Sequence, residues 1–166
     1  TSPETIPSPA GVNQDTLEDV IAYAGREEAT NQRQLVTGIN CNAGTARSEM
    51  MAVKKRFRKE DGTIAYHGYQ SFREGEVTPE QAHRIGIRLA EELWGGRYQV
   101  LVATHLDKAS HIHSHFVINT VSFVDGKKFY RSYGDYARMR EVSDQLCREY
   151  GLSVIHRPEG KGKNYS

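Results

Sequence analysis

Three features of the sequence predict an α+β fold, a mostly antiparallel central sheet with helices packed largely on one face. Residues 111–119 (HIHSHFVIN) alternate polar and apolar side chains, Asp125-Gly126 is a hairpin turn, and helical stripes interrupt the strands in no regular βαβα order. A chain of 166 residues suits one domain with a core of its own. We place it at 14–166, behind a flexible arm of residues 1–13 (TSPETIPSPAGVN) that is rich in Pro, Ser and Thr and poor in apolar residues.

From Asp15, Leu17, Val20, Ile21 and Ala24 repeat at i, i+3, i+4 and i+7, which predicts an amphipathic helix. Gln34 to Cys41 (QLVTGINC) reads as a strand, and Ala46, Met50, Val53 and Phe57 as the buried stripe of a second helix ending in the basic run KKRFRK. After the turn EDG a strand is expected from Thr63 to Arg73. Thr78, Pro79 and Gln81 then supply an N-cap, a first-turn proline and a capping-box residue for a helix reaching Trp94. Tyr98 to His105 and His111 to Val124 form two antiparallel strands, and the hairpin leads into a short strand from Lys127 to Arg131. A last helix from Asp135 to Tyr150 stops at Gly151, which tolerates the left-handed C′ conformation, and Leu152 to Ile155 can add a strand before an irregular tail.

Composition narrows the function classes. Twenty-two Lys and Arg against 21 Asp and Glu leave a net charge of +1, so a nucleic-acid surface has to come from local clustering. The two cysteines, Cys41 and Cys147, are far apart and lack CxxC spacing, which argues against a disulfide framework or a thiolate zinc site and suits a reducing cytoplasm. No apolar run approaches the roughly 18 residues of a membrane span. A soluble protein of the cytoplasm, not inserted in a membrane, is the expectation.

His111, His113, His115 and Asn119 share parity and project from one face of their strand, with Ile112, Phe116 and Ile118 on the other. A tight return brings His105 and Asp107 beside that row, which assembles imidazoles at the separations a metal needs. His105, His113 and His115 are the expected ligands of a divalent ion. Mg or Mn suits the cell, and Zn, Ni or Co is compatible with the donors. Asp107 is placed to fix a histidine tautomer or take a proton, and His111 to accept a proton, touch a phosphate or join the ligands. A histidine-rich hydrogen-bonding surface without metal is the competing reading.

The segment HxD…HxHxH…N closely resembles the third motif of HUH-type relaxases, specifically the Mob-P-like relaxases of bacterial conjugative plasmids and integrative elements. The resemblance extends over nearly the whole chain from Thr16 and implies a ferredoxin-like palm. In that family a tyrosine on a helix written roughly IxYxxNxxKT attacks DNA, and IAYAGREEAT puts Tyr23 in that slot, with Arg26, Glu27 and Ala29 departing from the pattern. On an ideal helix Tyr23 lies roughly 110° from the centre of the apolar stripe, off its core-facing middle. The second motif is matched by YHGYQSFREGEVTPEQAH, with Ser71 in the position of a serine that contacts DNA. His67, Tyr69 and Ser71 share one strand face and can line the same site. Lys54, Lys55, Arg56 and Arg58 in the basic run, Arg131 with Arg138 and Arg140 near the last helix, and Asn119 are further DNA-contact candidates.

The resemblance implies site- and strand-specific nicking at an origin of transfer by tyrosine transesterification, through a 5′-phosphotyrosyl intermediate that is later rejoined. Catalytic candidates are Tyr23, Asp107 and His111. The implied partners are single-stranded DNA flanked by a hairpin or duplex, accessory relaxosome proteins and a coupling protein. Two alternatives stand beside it: an HUH nuclease of rolling-circle replication or transposition, and a metal-stabilised DNA-binding module that cuts nothing.

Overall fold

The computed structural model describes residues 10–12, 20–22, 24–25, 35–106, 111–129 and 133–154. Their elements are strand β1 (Ala10–Val12), strand β2 (Val36–Ile39), helix α1 (Ala46–Arg56), strand β3 (Ala65–Ser71), helix α2 (Pro79–Leu93), strand β4 (Val100–Leu106), strand β5 (Ile112–Asn119) and helix α3 (Tyr133–Glu149). Val20, Ile21, Ala22 and Ala24 are helical as well.

The five strands make one sheet in the order β1-β3-β5-β4-β2, every neighbouring pair antiparallel. The expected α+β fold is therefore present. Strand alternation sorts side chains onto two faces, each with its own core. On one, Val100, Val102, Ile112, Phe116 and Ile118 pack against Ile85 and Leu89 of α2 and Met139, Val142 and Leu146 of α3. Two of the three long helices thus share this face. On the other, Leu101, Ala103 and Val117 pack under Ala46 and Met50 of α1, with Ala24, Ile64 and Ala65. Removing each such Leu, Ile, Val, Met or Phe side chain from water contributes about 1.5–3 kcal/mol. By strand parity His105, His113 and His115 rise from this same face, farther along β4 and β5 than Leu101 and Val117.

Local chemistry sets the boundaries. Thr78 Oγ1 accepts the Gln81 N–H at 3.1 Å, and Pro79 occupies the first turn of α2. Beyond α3, Gly151 has φ +72°, its N–H reaches the Arg148 carbonyl, and the Leu152 N–H reaches the Cys147 carbonyl, both bonds of a Schellman motif.

Several expectations need correction. Ala10–Val12, assigned to the arm, pair with β3 as an edge strand; three residues held by main-chain bonds leave no mark in composition. Strand β5 ends at Asn119, not Val124, because the chain turns at residues 123–125 with the Gly126 N–H on the Ser122 carbonyl. Of the strand expected from Lys127 to Arg131, the described residues show a single bridge, Val121 to Lys128. Leu152 to Val154 are not a strand either. The Ser153 N–H is taken by Glu76 Oε1 at 2.9 Å and its hydroxyl by Glu76 Oε2 at 2.7 Å, so a side chain occupies the donor a sheet would need. No helix among the described residues is long and apolar enough to cross a membrane.

Candidate functional site

The register of the three central strands builds the site. His105 on β4 stands opposite His113 on β5, and His113 and His115 stand opposite Ser71 and Tyr69 on β3. Because all five occupy equivalent pleats, their side chains rise from one face. On the reverse side Thr104 and Ser114 form the adjacent cross-strand pair, hydroxyl to hydroxyl at 2.8 Å, and both are buried. That pair locks the relative register of the two histidine-bearing strands.

Ring centroids of His105, His113 and His115 lie 4.1 to 5.1 Å apart, and one nitrogen from each ring falls within 4.8 Å of the others. The three histidines named from spacing are the ones brought together. Small ring rotations would carry three neutral imidazole nitrogens to the roughly 2.0–2.1 Å typical of zinc coordination, leaving open positions on one side. The donor set fits a divalent ion.

Outer contacts bear on which nitrogens face inward. His105 Nε2 lies 2.5 Å from the Ala24 carbonyl. A carbonyl can only accept, so Nε2 carries the proton and the neutral ring keeps its lone pair on Nδ1. His115 Nδ1 lies 2.8 Å from Nε2 of His67, a ring whose pKa is lowered by burial. His105 Nδ1 and His115 Nε2 are shielded from solvent.

Beneath the site, His83 of α2 bonds Thr37 Oγ1 through Nε2 at 2.7 Å and Thr104 Oγ1 through Nδ1 at 2.8 Å, donating to one hydroxyl and accepting from the other. Burial pulls its pKa down to about 4, so the ring is neutral. This chain of polar groups, invisible in the sequence because its members are distant, ties α2 to the back of the histidine strands.

The remaining candidates divide. Ser71 ends β3 opposite His113. Tyr69 is 43% exposed, with its ring 6.4 Å from that of His115. His111 is exposed one residue before β5, outside the cluster of three. Lys55, Arg56 and Arg58 are exposed. Tyr23, Asp107 and Arg131 lie outside the described residues. Two assignments are corrected: Lys54 and Asn119 are fully buried, the Lys54 ammonium donating to Asn119 Oδ1 and to Thr120 Oγ1. Neither can reach a phosphate, because α1 lies over the part of the sheet where Asn119 emerges. Asn119 Nδ2 also donates to Gln99 Oε1 at 2.9 Å, completing an internal network.

Spacing did not reveal a surface groove of about 520 Å³ lined by Ile21, Ala22, Thr45, Arg47 and Ser48. It adjoins a second depression of about 320 Å³ that shares Arg47 and Ser48 and extends along α1 to Lys55. Only proximity in the fold joins these residues.

Residues 22–152 match the family described as relaxase, MobA/VirD2-like, nuclease domain. Two proteins of Staphylococcus aureus called Protein rlx are similar to the chain. One is 41% identical over 73% of this chain and 38% of its own length, the other 36% identical over 76% and 37%. The group II intron-interrupted relaxase LtrB of Lactococcus lactis subsp. cremoris is 29% identical over 89% of this chain and 33% of its own. The chain therefore spans about two fifths or less of these relatives. No solved structure matches it.

Proposed function

The chain belongs to the MobA/VirD2-like relaxases and carries their nuclease domain, and from that premise we propose that it nicks one DNA strand at an origin of transfer by tyrosine transesterification. The observation that carries the reading is the cluster of three imidazoles whose His105 N–H is held by the carbonyl of Ala24, the chain neighbour of Tyr23.

His105, His113 and His115 would hold a divalent ion, Mg or Mn in the cell. When bound, the ion supplies positive charge to the non-bridging oxygens of the scissile phosphate and helps hold that group in line. The Tyr23 oxygen bonds to phosphorus as the bond to the 3′ oxygen breaks, which leaves a 5′-phosphotyrosyl link and a 3′-hydroxyl. A phenol with a pKa of about 10 is protonated at neutral pH, so its proton must move during attack. Asp107 and His111 are the acceptors we assign, and reversal of the step rejoins the strand. Ser71 and the exposed Tyr69 line the approach to the histidines. Arg47 and Lys55, which line the adjoining depressions along α1, would track the backbone of the single strand, with Arg56 and Arg58 at the end of that helix. The full-length protein would act with accessory relaxosome proteins and a coupling protein in the bacterial cytoplasm.

The test is incubation with single-stranded oligonucleotides spanning candidate origin DNA and Mn²⁺, with denaturing gels to detect covalent adducts. Adducts should form with the parent, vanish in Tyr23→Phe and fall sharply in His113→Ala while DNA binding persists. Adducts that survive Tyr23→Phe unchanged would overturn the assignment. Equal losses of binding and cleavage in His113→Ala would mark the cluster as structural.

A further inference from the structure

We propose that His67 is a positioning residue: as a neutral acceptor it holds His115 in the tautomer that turns the Nε2 lone pair toward the ion. The inference rests on the metal-dependent reading above and assigns His67 a task other than DNA contact.

His67 sits on β3 opposite Val117, and Tyr69 sits opposite His115, so His67 is the diagonal neighbour of His115 on the same face. Its Nε2 lies 2.8 Å from His115 Nδ1, the ring centroids are 5.0 Å apart, and the planes differ by only 15°. Two nearly parallel rings with a nitrogen contact this short at that centroid separation are joined end to end through their edges, not stacked face to face. The contact is an in-plane hydrogen bond, the geometry that fixes a ring's rotation as well as its tautomer.

Only one proton lies between two neutral imidazoles. If His67 donated, His115 would carry its own proton on Nε2, the nitrogen shielded from solvent on the ring that clusters with His105 and His113. That form could not bind an ion through Nε2. If His115 donates, Nδ1–H is spent on His67 and Nε2 presents a lone pair to the cluster. His105 is arranged in the same sense by a different partner, its Nε2–H spent on the Ala24 carbonyl. A main-chain carbonyl and an imidazole thus fill the two positions where a carboxylate often stands. Neither adds negative charge at those positions, so the ion's charge stays available to a phosphate and its intrinsic affinity is lower than a carboxylate-backed site would give.

The experiment uses histidine-labelled ¹⁵N protein and three variants. Long-range ¹H–¹⁵N spectra of the metal-free parent should show His115 as the Nδ1–H tautomer. His67→Phe keeps a ring but removes the acceptor: His115 should become a tautomeric mixture, and Mn²⁺ affinity by calorimetry should fall by about 10- to 100-fold. His67→Gln restores an accepting oxygen and should recover most of that loss. An Nε2–H tautomer in the parent, or unchanged Mn²⁺ affinity in His67→Phe, overturns the proposal. His113→Ala separates the two levels of inference. If it abolishes Mn²⁺ binding while His67→Phe does not, only the role of His67 fails; if it too leaves binding intact, the metal site itself is refuted. Should His67→Phe fail to fold, the parent's tautomer and the His67→Gln affinity decide.

Discussion

Replacing His83 by Gln should flatten the acid side of the stability profile. The His83 ring is buried, each nitrogen faces a threonine hydroxyl, and its pKa falls from 6.5 to about 4. The unfolded chain therefore binds a proton on this residue below about pH 6.5, while the folded chain resists until about pH 4. More protons on the unfolded state means that stability drops as pH falls through that window. At about 1.36 kcal/mol per pKa unit, moving from pH 7.5 to 4.5 costs the parent roughly 2.5 kcal/mol through this residue alone. Gln cannot titrate, yet its amide can still meet a hydroxyl, so His83→Gln should lose about 1–2 kcal/mol at pH 7.5 from imperfect bonding. At pH 4.5 it should equal or exceed the parent. Urea unfolding followed by the fluorescence of Trp94, the single and buried tryptophan, gives both curves. Other titrating groups are common to the two proteins and cancel in the difference. Parallel stability curves across that pH range would refute the reasoning.

Lys54 follows the same sign in a higher window. Burial lowers its pKa to about 7, so between pH 7 and its unfolded value of about 10.4 the unfolded chain alone is protonated and stability should rise with pH. Lys54→Met should abolish that rise in chemical denaturation. In Gly38→Ala the new Cβ would lie 2.2 Å from the Cys41 carbonyl oxygen, a main-chain atom that cannot swing aside, so a loss of about 1–3 kcal/mol is expected in thermal melts. An unchanged melting temperature would show that the backbone around Cys41 yields. Tyr69→Ala should weaken single-stranded DNA binding by about 1–3 kcal/mol in fluorescence anisotropy and leave the fold intact, because an exposed aromatic ring beside His115 is suited to stacking a base. Equal affinities would remove Tyr69 from the interface.

The histidine site was legible because two-residue alternation is a local property of a strand, and the His105 to His113 pairing follows once those strands are antiparallel neighbours. The role of Lys54 was not. Ala46, Met50 and Lys54 form the buried row of α1, while Val53 and Phe57 are only half-buried. Reading the stripe by side-chain polarity excluded lysine, and the acceptors that admit it, Asn119 and Thr120, come from a strand end more than sixty residues later. Asn119 was misread for the same reason: parity gave its face correctly, but parity says nothing about which helix covers that face. The groove beside Ile21 and the His83 chain depend on long-range packing, which leaves no periodic signal.

The bond from His105 to Ala24 joins a side chain to the main chain, and this changes what mutation can reach. Exchanging Ala24 for another residue leaves the carbonyl in place, so a scan of side chains across this segment would pass over one of the contacts that orient the cluster. Changes of length would not. One residue inserted between Ile21 and Ala24 would keep the tether while turning the helix ahead of it by about 100° and advancing it about 1.5 Å. Spacing along the chain, and not residue type at position 24, is the inherited quantity this contact guards.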